Sequence, residues 1–192
     1  MYTIFIFRRD YRIYDNIGLN YAMKHFTNII PIFIFTPEQI KKNIYFSNPS
    51  VQFLCESLEE LRSEIPLHIF YGDNIKVLNN IHKTTPISNI IFNKDYTPYA
   101  IERDKTIHEW CSRNNIKCIM PEDYLLSPMG SFNKKDGTPY VVYTPFKNNV
   151  FKYSISKPEK VAIKNLIRNK DLETTKYFRQ KLDYYKHNPH NM

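Results

Sequence analysis

Five short runs constrain this chain more than anything else in it. Residues 3–7, 29–35, 67–71, 88–92 and 116–120 are nearly continuous in apolar residues, most of them β-branched or aromatic. A strand with one wet face alternates apolar and polar residues, whereas a strand covered on both faces does not. The runs therefore predict strands of a parallel sheet with a layer on each side. Between them the rhythm changes to a helical period of about 3.6 residues. Val51, Leu54, Cys55, Leu58 and Leu61 form one stripe within residues 50–62, with Asn48 and Pro49 as start signal. Ile75, Leu78 and Ile81 mark a second stripe, capped by Asp73 or Asn74. Ala100, Ile107, Trp110 and Cys111 mark a third that begins near Tyr99. A further helix over residues 17–26 takes Asp15 or Asn16 as its N-cap.

Strand–helix alternation of this kind builds an α/β fold: a five-stranded, doubly wound parallel sheet with helices on both faces, Rossmann-like or flavodoxin-like. Such sheets bind ligands outside the carboxyl ends of their strands, where the strand order reverses. Two charged loops fall there. "FRRDYRIYDN", residues 7–16, follows the first run, and "NKDYTPYAIERD", residues 93–104, follows the fourth. Arg9 and Asp10 then border the crevice from one side, and Asp95, Thr97 and Tyr99 from the other. Arg12, Asp15 and Asn16 lock the first loop and start its helix. Tyr96 and Tyr99 offer flat faces with polar tips, a mixture suited to a planar aromatic ligand.

Beyond residue 120 the periodicity fades. Residues 121–150 carry Pro, Gly and turn residues and read as an extended connector with ordered aromatics. Residues 151–192 hold ten Lys and Arg against four Asp and Glu, most of the chain's net charge of +8. This tail reads as a solvated terminus with one short helix over 174–185, and its charge offers weak attraction for nucleic acid.

Several chemistries are excluded by what is missing. Neither G-x-G-x-x-G nor a P-loop occurs, no G-x-S-x-G elbow exists, and no hydrolytic triad can be built. The six histidines show no zinc spacing, and His187 and His190 lie together only in the tail. Cys55, Cys111 and Cys118 form no C-x-x-C pair and read as reduced thiols. With no apolar run of membrane length and no signal sequence, an intracellular chain is expected.

At the two loops the sequence resembles the DNA photolyase/cryptochrome family. "FIFRRDYRIYDNIGLNYA" resembles that family's amino-terminal signature, with F-R-x-D-x-R-x-x-D-N intact. "FNKDYTPYAIERD" resembles its second signature, and "YLLSPMGSFNKKDGTPYVVYTPFKN" its third. The resemblance implies an α/β antenna domain over residues 1–130, an interdomain-type connector over 131–150 and a basic tail over 151–192. It implies an antenna pigment, a deazaflavin or a folate, in the cleft, with Phe7, Arg9, Asp10, Asp95, Thr97 and Tyr99 as cofactor-binding residues. Tyr99-Ala100 stands where folate-binding members commonly show Asn-Glu. Asp95 suits a deazaflavin-type site, but Thr97 stands where a second acid would help, so the pigment stays open.

In that family an all-helical second domain binds FAD, carries a tryptophan chain for electrons and grips the damaged DNA. About 40 residues follow the Y-T-P-F stretch, too few for such a domain, and Trp110 is the single tryptophan. FAD and catalysis are therefore not expected on this chain. The leading expectation is an antenna module working with a separate FAD-bearing photolyase domain in light-dependent DNA repair. The alternatives are an inactive, truncated remnant of a photolyase and a stand-alone ligand- or nucleic-acid-binding module using the basic tail.

Overall fold

A computed structural model describes residues 1–41, 43–45 and 47–189. Its five strands are β1 (Tyr2–Phe7), β2 (Ile29–Phe35), β3 (His68–Tyr71), β4 (Ile87–Ile91) and β5 (Lys117–Ile119). All pair in parallel in the order β3-β2-β1-β4-β5. The order reverses between β1 and β4, so the loops after these two strands meet at the switch point, as the sequence predicts.

Residue type sorts the two faces of the sheet. Phe5, Phe7, Phe33 and Phe35 turn to one side, where α1 (Ile17–His25), α3 (Asn48–Glu64) and α7 (Lys176–His187) cover them. Ile4, Ile6, Ile30, Ile32 and Ile34 turn to the other, against α4 (Asn74–Thr84) and α5 (Pro98–Arg113). The period-two alternation of a strand does this sorting: Ile-Phe-Ile-Phe in β1 gives each face its own residue. The predicted α3 stripe is core except for Leu54, which is only partly buried.

Helix ends follow local chemistry. Asn16 caps α1, its Oδ1 accepting from the Leu19 N–H. Asp73 caps α4 in the same way. The cap of α3 is Ser47, with Pro49 in the first turn, so this helix starts before the predicted residue 50. One helix, α2 (Pro37–Ile40), is a single turn too short for periodicity, and only its start, Thr36 as cap before Pro37, is marked in the sequence.

Two expectations for the second half need correction. The connector is not extended throughout: the Y-T-P-F stretch is itself helical, as α6 (Tyr143–Val150), with no buried residue. The tail is not a solvated terminus either. Its main chain pairs with the start of β2, where Ile29 N donates to Asn165 O and Ile167 N to Ile29 O, and then reaches the β3 edge, where Thr175 N donates to Ile69 O. Phe178, Leu182 and Tyr185 of α7 then enter the phenylalanine face of the core. The tail makes no second core; it completes the first and covers the open edge of β3. His190 lies outside the described residues.

Candidate ligand site at the switch point

The loop that leaves β1 is held from within by hydrogen bonds that cross the sheet. Asp10 accepts from the backbone N–H of Arg8 (2.9 Å), from Asn93 Nδ2 (2.5 Å) and from Asn16 Nδ2 (3.2 Å). Asn93, just past β4, returns the link: its Oδ1 accepts from the Gly18 N–H at 2.9 Å. Gly18 must be glycine, because a Cβ there would collide with that amide oxygen and with the Phe5 ring. Asp123, in the segment after β5, accepts from the Ile17 N–H (3.0 Å) and from Arg12 Nη2 (2.7 Å). A carboxylate thus sits at the amino end of α1, where unpaired N–H groups favour negative charge. Arg12 also donates to the carbonyl of Asp15, whose own φ is +52°.

Arg8 turns inward. Its guanidinium lies 3.8 Å from the centroid of the Phe92 ring and donates to Asp104 of α5. Burial and the neighbouring Arg103 charge lower the Arg8 pKa from 12.5 to about 10, against the opposing pull of Asp104. Arg9 turns outward, with its side chain 63% exposed and its Nε 3.7 Å from Asp95. Asp95 accepts from the Thr97 N–H at 3.0 Å. Burial on its own would raise its pKa, but that bond and the charges of Arg9 and Arg103 outweigh burial and leave it lowered.

Beside this network a hollow of about 580 Å³ opens over the carboxyl ends of β1 and β2. Tyr11, Phe33, Phe35 and Tyr99 give it aromatic walls, and Val51 and Leu54 of α3 an aliphatic one. Its rim is polar, with Arg9, Glu38, Ser47, Ser50 and Thr97. The Tyr99 hydroxyl is fixed by a 3.0 Å hydrogen bond with Thr36 Oγ1, which orients the ring. Thr97 precedes α5 but makes no side-chain cap bond.

Of the residues expected at a pigment site, Arg9, Thr97 and Tyr99 line this hollow together. Asp10 and Asp95 border an adjoining cleft of about 200 Å³ with Arg8, Asn93 and Asp123. Phe7 is buried in the core, edge-on to Phe5, and is not among the residues lining the hollow. Sequence reasoning missed Phe33, Phe35, Val51 and Leu54, which it assigned to core. The signal was present in β2, whose last two same-face residues are both phenylalanine at the carboxyl end. Among the described residues no group of three or more His, Cys, Asp or Glu could hold a metal, and no helix is long and apolar enough to cross a membrane.

The fold is a doubly wound parallel α/β sheet with an aromatic hollow beside its switch point. The family model for DNA photolyase matches residues 3–163, and the chain belongs to that family. It corresponds to the amino-terminal α/β domain of photolyases and cryptochromes. The crystal structure of an archaeal photolyase from Sulfolobus tokodaii with two FAD molecules, which implicates a novel light-harvesting cofactor, is 34% identical. The likeness covers 95% of this chain and 42% of that one, with a TM-score of 0.82. A bacterial class III photolyase from Agrobacterium tumefaciens is 25% identical over 94% of this chain and 38% of that one, at a TM-score of 0.79. An uncharacterized 31.6 kDa protein of Synechococcus sp. PCC 6716 is 29% identical over 76% of this chain and 53% of its own length. A deoxyribodipyrimidine photo-lyase of another Synechococcus strain is 28% identical over 76% of this chain and 31% of its own. The chain thus spans between about a third and about half the length of these relatives.

Proposed function

We propose that this chain is a pigment-holding antenna module of a photolyase-type light-driven system. The observation that carries the reading is the aromatic hollow at the switch point. Its volume of about 580 Å³ falls inside the range of roughly 300–1,000 Å³ that takes ligands of cofactor size. Tyr11, Phe33, Phe35 and Tyr99 suit the faces of a tricyclic ring, and Arg9 on the rim suits an anionic substituent. A flavin or deazaflavin fits this donor set. The Sulfolobus relative, with its two FAD molecules, supports the flavin side of that choice. When bound, the pigment would absorb light and pass its energy to the FAD of a helical photolyase domain. The chain's own residues bind and orient it and keep water from its ring.

An antenna module also needs a face for its catalytic partner, and the exposed apolar surface of residues 124–155 suits that role. Val141, Val142, Tyr143, Phe146 and Phe151 are all solvent-facing here. Apolar surface on this scale calls for a cover, and the FAD-bearing helical domain is the partner the family architecture supplies.

The test is equilibrium titration of the purified chain with FMN, FAD, a deazaflavin and a reduced folate, read by fluorescence. A flavin-type pigment is expected to bind, and Leu54→Trp, which fills the hollow, should weaken it at least about tenfold, or ~1.4 kcal/mol. Failure of every pigment to bind, or binding indifferent to Leu54→Trp, would remove the proposal.

A further inference from the structure

The fold brings two thiols together at the turn from α5 into β5. Cys111 sits in the last turn of α5 and is fully buried; Cys118 is the middle residue of β5 and only partly buried. The turn between them is tight. The N–H groups of Asn114 and Ile116 both donate to Cys111 O, at 3.1 and 2.9 Å, and Asn115 takes a φ of +55°. The chain therefore folds straight back, and β5 runs under the helix it has just left. Side chains alternate along β5: Cys118 packs on the isoleucine side that α5 covers, and Ile119 on the phenylalanine side. Cys111 belongs to that same isoleucine-side core.

The two thiols are unlike. A hydrogen bond to Cys118, and then burial, raises the pKa of Cys111. Cys111 also lies at the carboxyl end of its helix, where the dipole disfavours a negative charge. The same hydrogen bond lowers the pKa of Cys118; burial and Asp104 oppose it, and the charge of Arg8 assists it. Cys118 is thus both the more accessible sulfur and the one that ionises first. Cys55 makes an internal contrast: it is buried on the phenylalanine side, and burial pushes its pKa up to about 12. A partly exposed sulfur with thiolate character, beside a second thiol, is the arrangement of a peroxide-reactive cysteine and its resolving partner.

We propose that Cys118 and Cys111 are a reversible, peroxide-sensitive dithiol that closes to a disulfide between β5 and α5. The Cys118 sulfur attacks one oxygen of a hydroperoxide. The O–O bond breaks, and the other oxygen leaves as an alcohol or water with the proton of the Cys118 thiol. Cys118 is then a sulfenic acid. The Cys111 sulfur attacks it, the S–S bond forms, and the hydroxyl leaves as water with the Cys111 proton. The two thiols together lose two electrons, and the peroxide gains them. A dithiol reductant reverses the change. The disulfide fastens an edge strand of three residues to the helix that covers it.

Treating the intact chain with hydrogen peroxide, then mapping it by mass spectrometry without reduction, tests this. Trypsin cuts after Arg113 and Lys117, so it separates the two cysteines unless a disulfide joins them. The expected product is that cross-linked peptide pair, in a monomer lighter by two hydrogens, with Cys55 left as the one free thiol of three. Dithiothreitol should restore all three. Cys111→Ser should leave Cys118 as a sulfenic acid that dimedone traps. Cys118→Ser should slow the oxidation of Cys111 at least about tenfold. A native chain that keeps three thiols under peroxide overturns the proposal, whether or not the serine variants fold. So does oxidation to a sulfinic acid, to a bond with Cys55 or to a bond between chains in place of the Cys111–Cys118 link.

Discussion

The loop that leaves β1 is rich in charge and tied down by buried polar partners, while residues 124–155 are rich in apolar side chains and face solvent. Asn16 is fully buried and Asn93 nearly so, whereas Val141 is 90% and Phe151 77% exposed. The usual sorting of residues by polarity is inverted in both places, for different reasons. Buried polar groups cost little when they find partners, and most of the first region's do, Asp10, Asn16, Asn93 and Asp123 among them. Exposed apolar groups cost little in a folding balance, but they leave a surface that gains by being covered. The first region shapes a site; the second, in our proposal, receives a partner.

The largest expected effect comes from opening the buried set. Asp104→Ala strands Arg8 and Arg103 without their shared carboxylate, and should cost about 3–5 kcal/mol in chemical denaturation. Asn93→Ala removes the acceptor for the Gly18 N–H and donors to Asp10 and Asn16. It should cost about 1–3 kcal/mol. A loss within experimental error for either variant would show that the loop does not depend on its internal bonds.

A pH effect is expected at the β3 edge. His68 is buried, its Nε2 accepts from the Asn169 N–H, and burial lowers its pKa below 6.5. The neutral form is therefore favoured in the native state. Its contribution is complete above about pH 6.5 and is lost as pH falls towards the lowered folded value, because the unfolded chain takes up the proton first. Denaturation midpoints should drop on acidification from pH 7 to 5 more in the native chain than in His68→Gln. Equal drops would contradict this.

The smallest stability effect belongs to the exposed face. Val142→Ser and Phe146→Ser should shift stability by no more than about 0.5 kcal/mol. The same changes should abolish capture of an FAD-bearing photolyase helical domain in a pull-down. Retained capture would separate the apolar face from partner binding and leave its exposure unexplained.

Much of this was legible in the sequence. Nearly continuous apolar runs placed all five strands, and the reversal of strand order brought residues 8–16 and 93–97 together as the doubly wound pattern requires. Asn16 as cap was readable because capping is local. The links that close the loop were not. Arg8 to Asp104, Asn93 to Asp10 and Arg12 to Asp123 join residues far apart in the chain, and periodicity does not tell which charges meet across a sheet. Arg8 is one of three arginines in that loop, and it is the one that turns inward. The docked α7 carried a missed signal: Phe178, Leu182 and Tyr185 fall at i, i+4 and i+7, one face of a helix. High net charge around them masked it. The hollow stayed hidden because Phe33, Phe35 and Leu54 look like core until the fold shows that the core opens there.

The central claim is that a planar pigment lies in the aromatic hollow. The most direct measurement is a crystal structure of the chain soaked with FMN. Planar density bordered by Tyr11, Phe35 and Tyr99 is the predicted result. Density in another hollow, such as the one of about 510 Å³ between Tyr21, Leu126 and Tyr153, would contradict the claim, as would no density at all at saturating pigment.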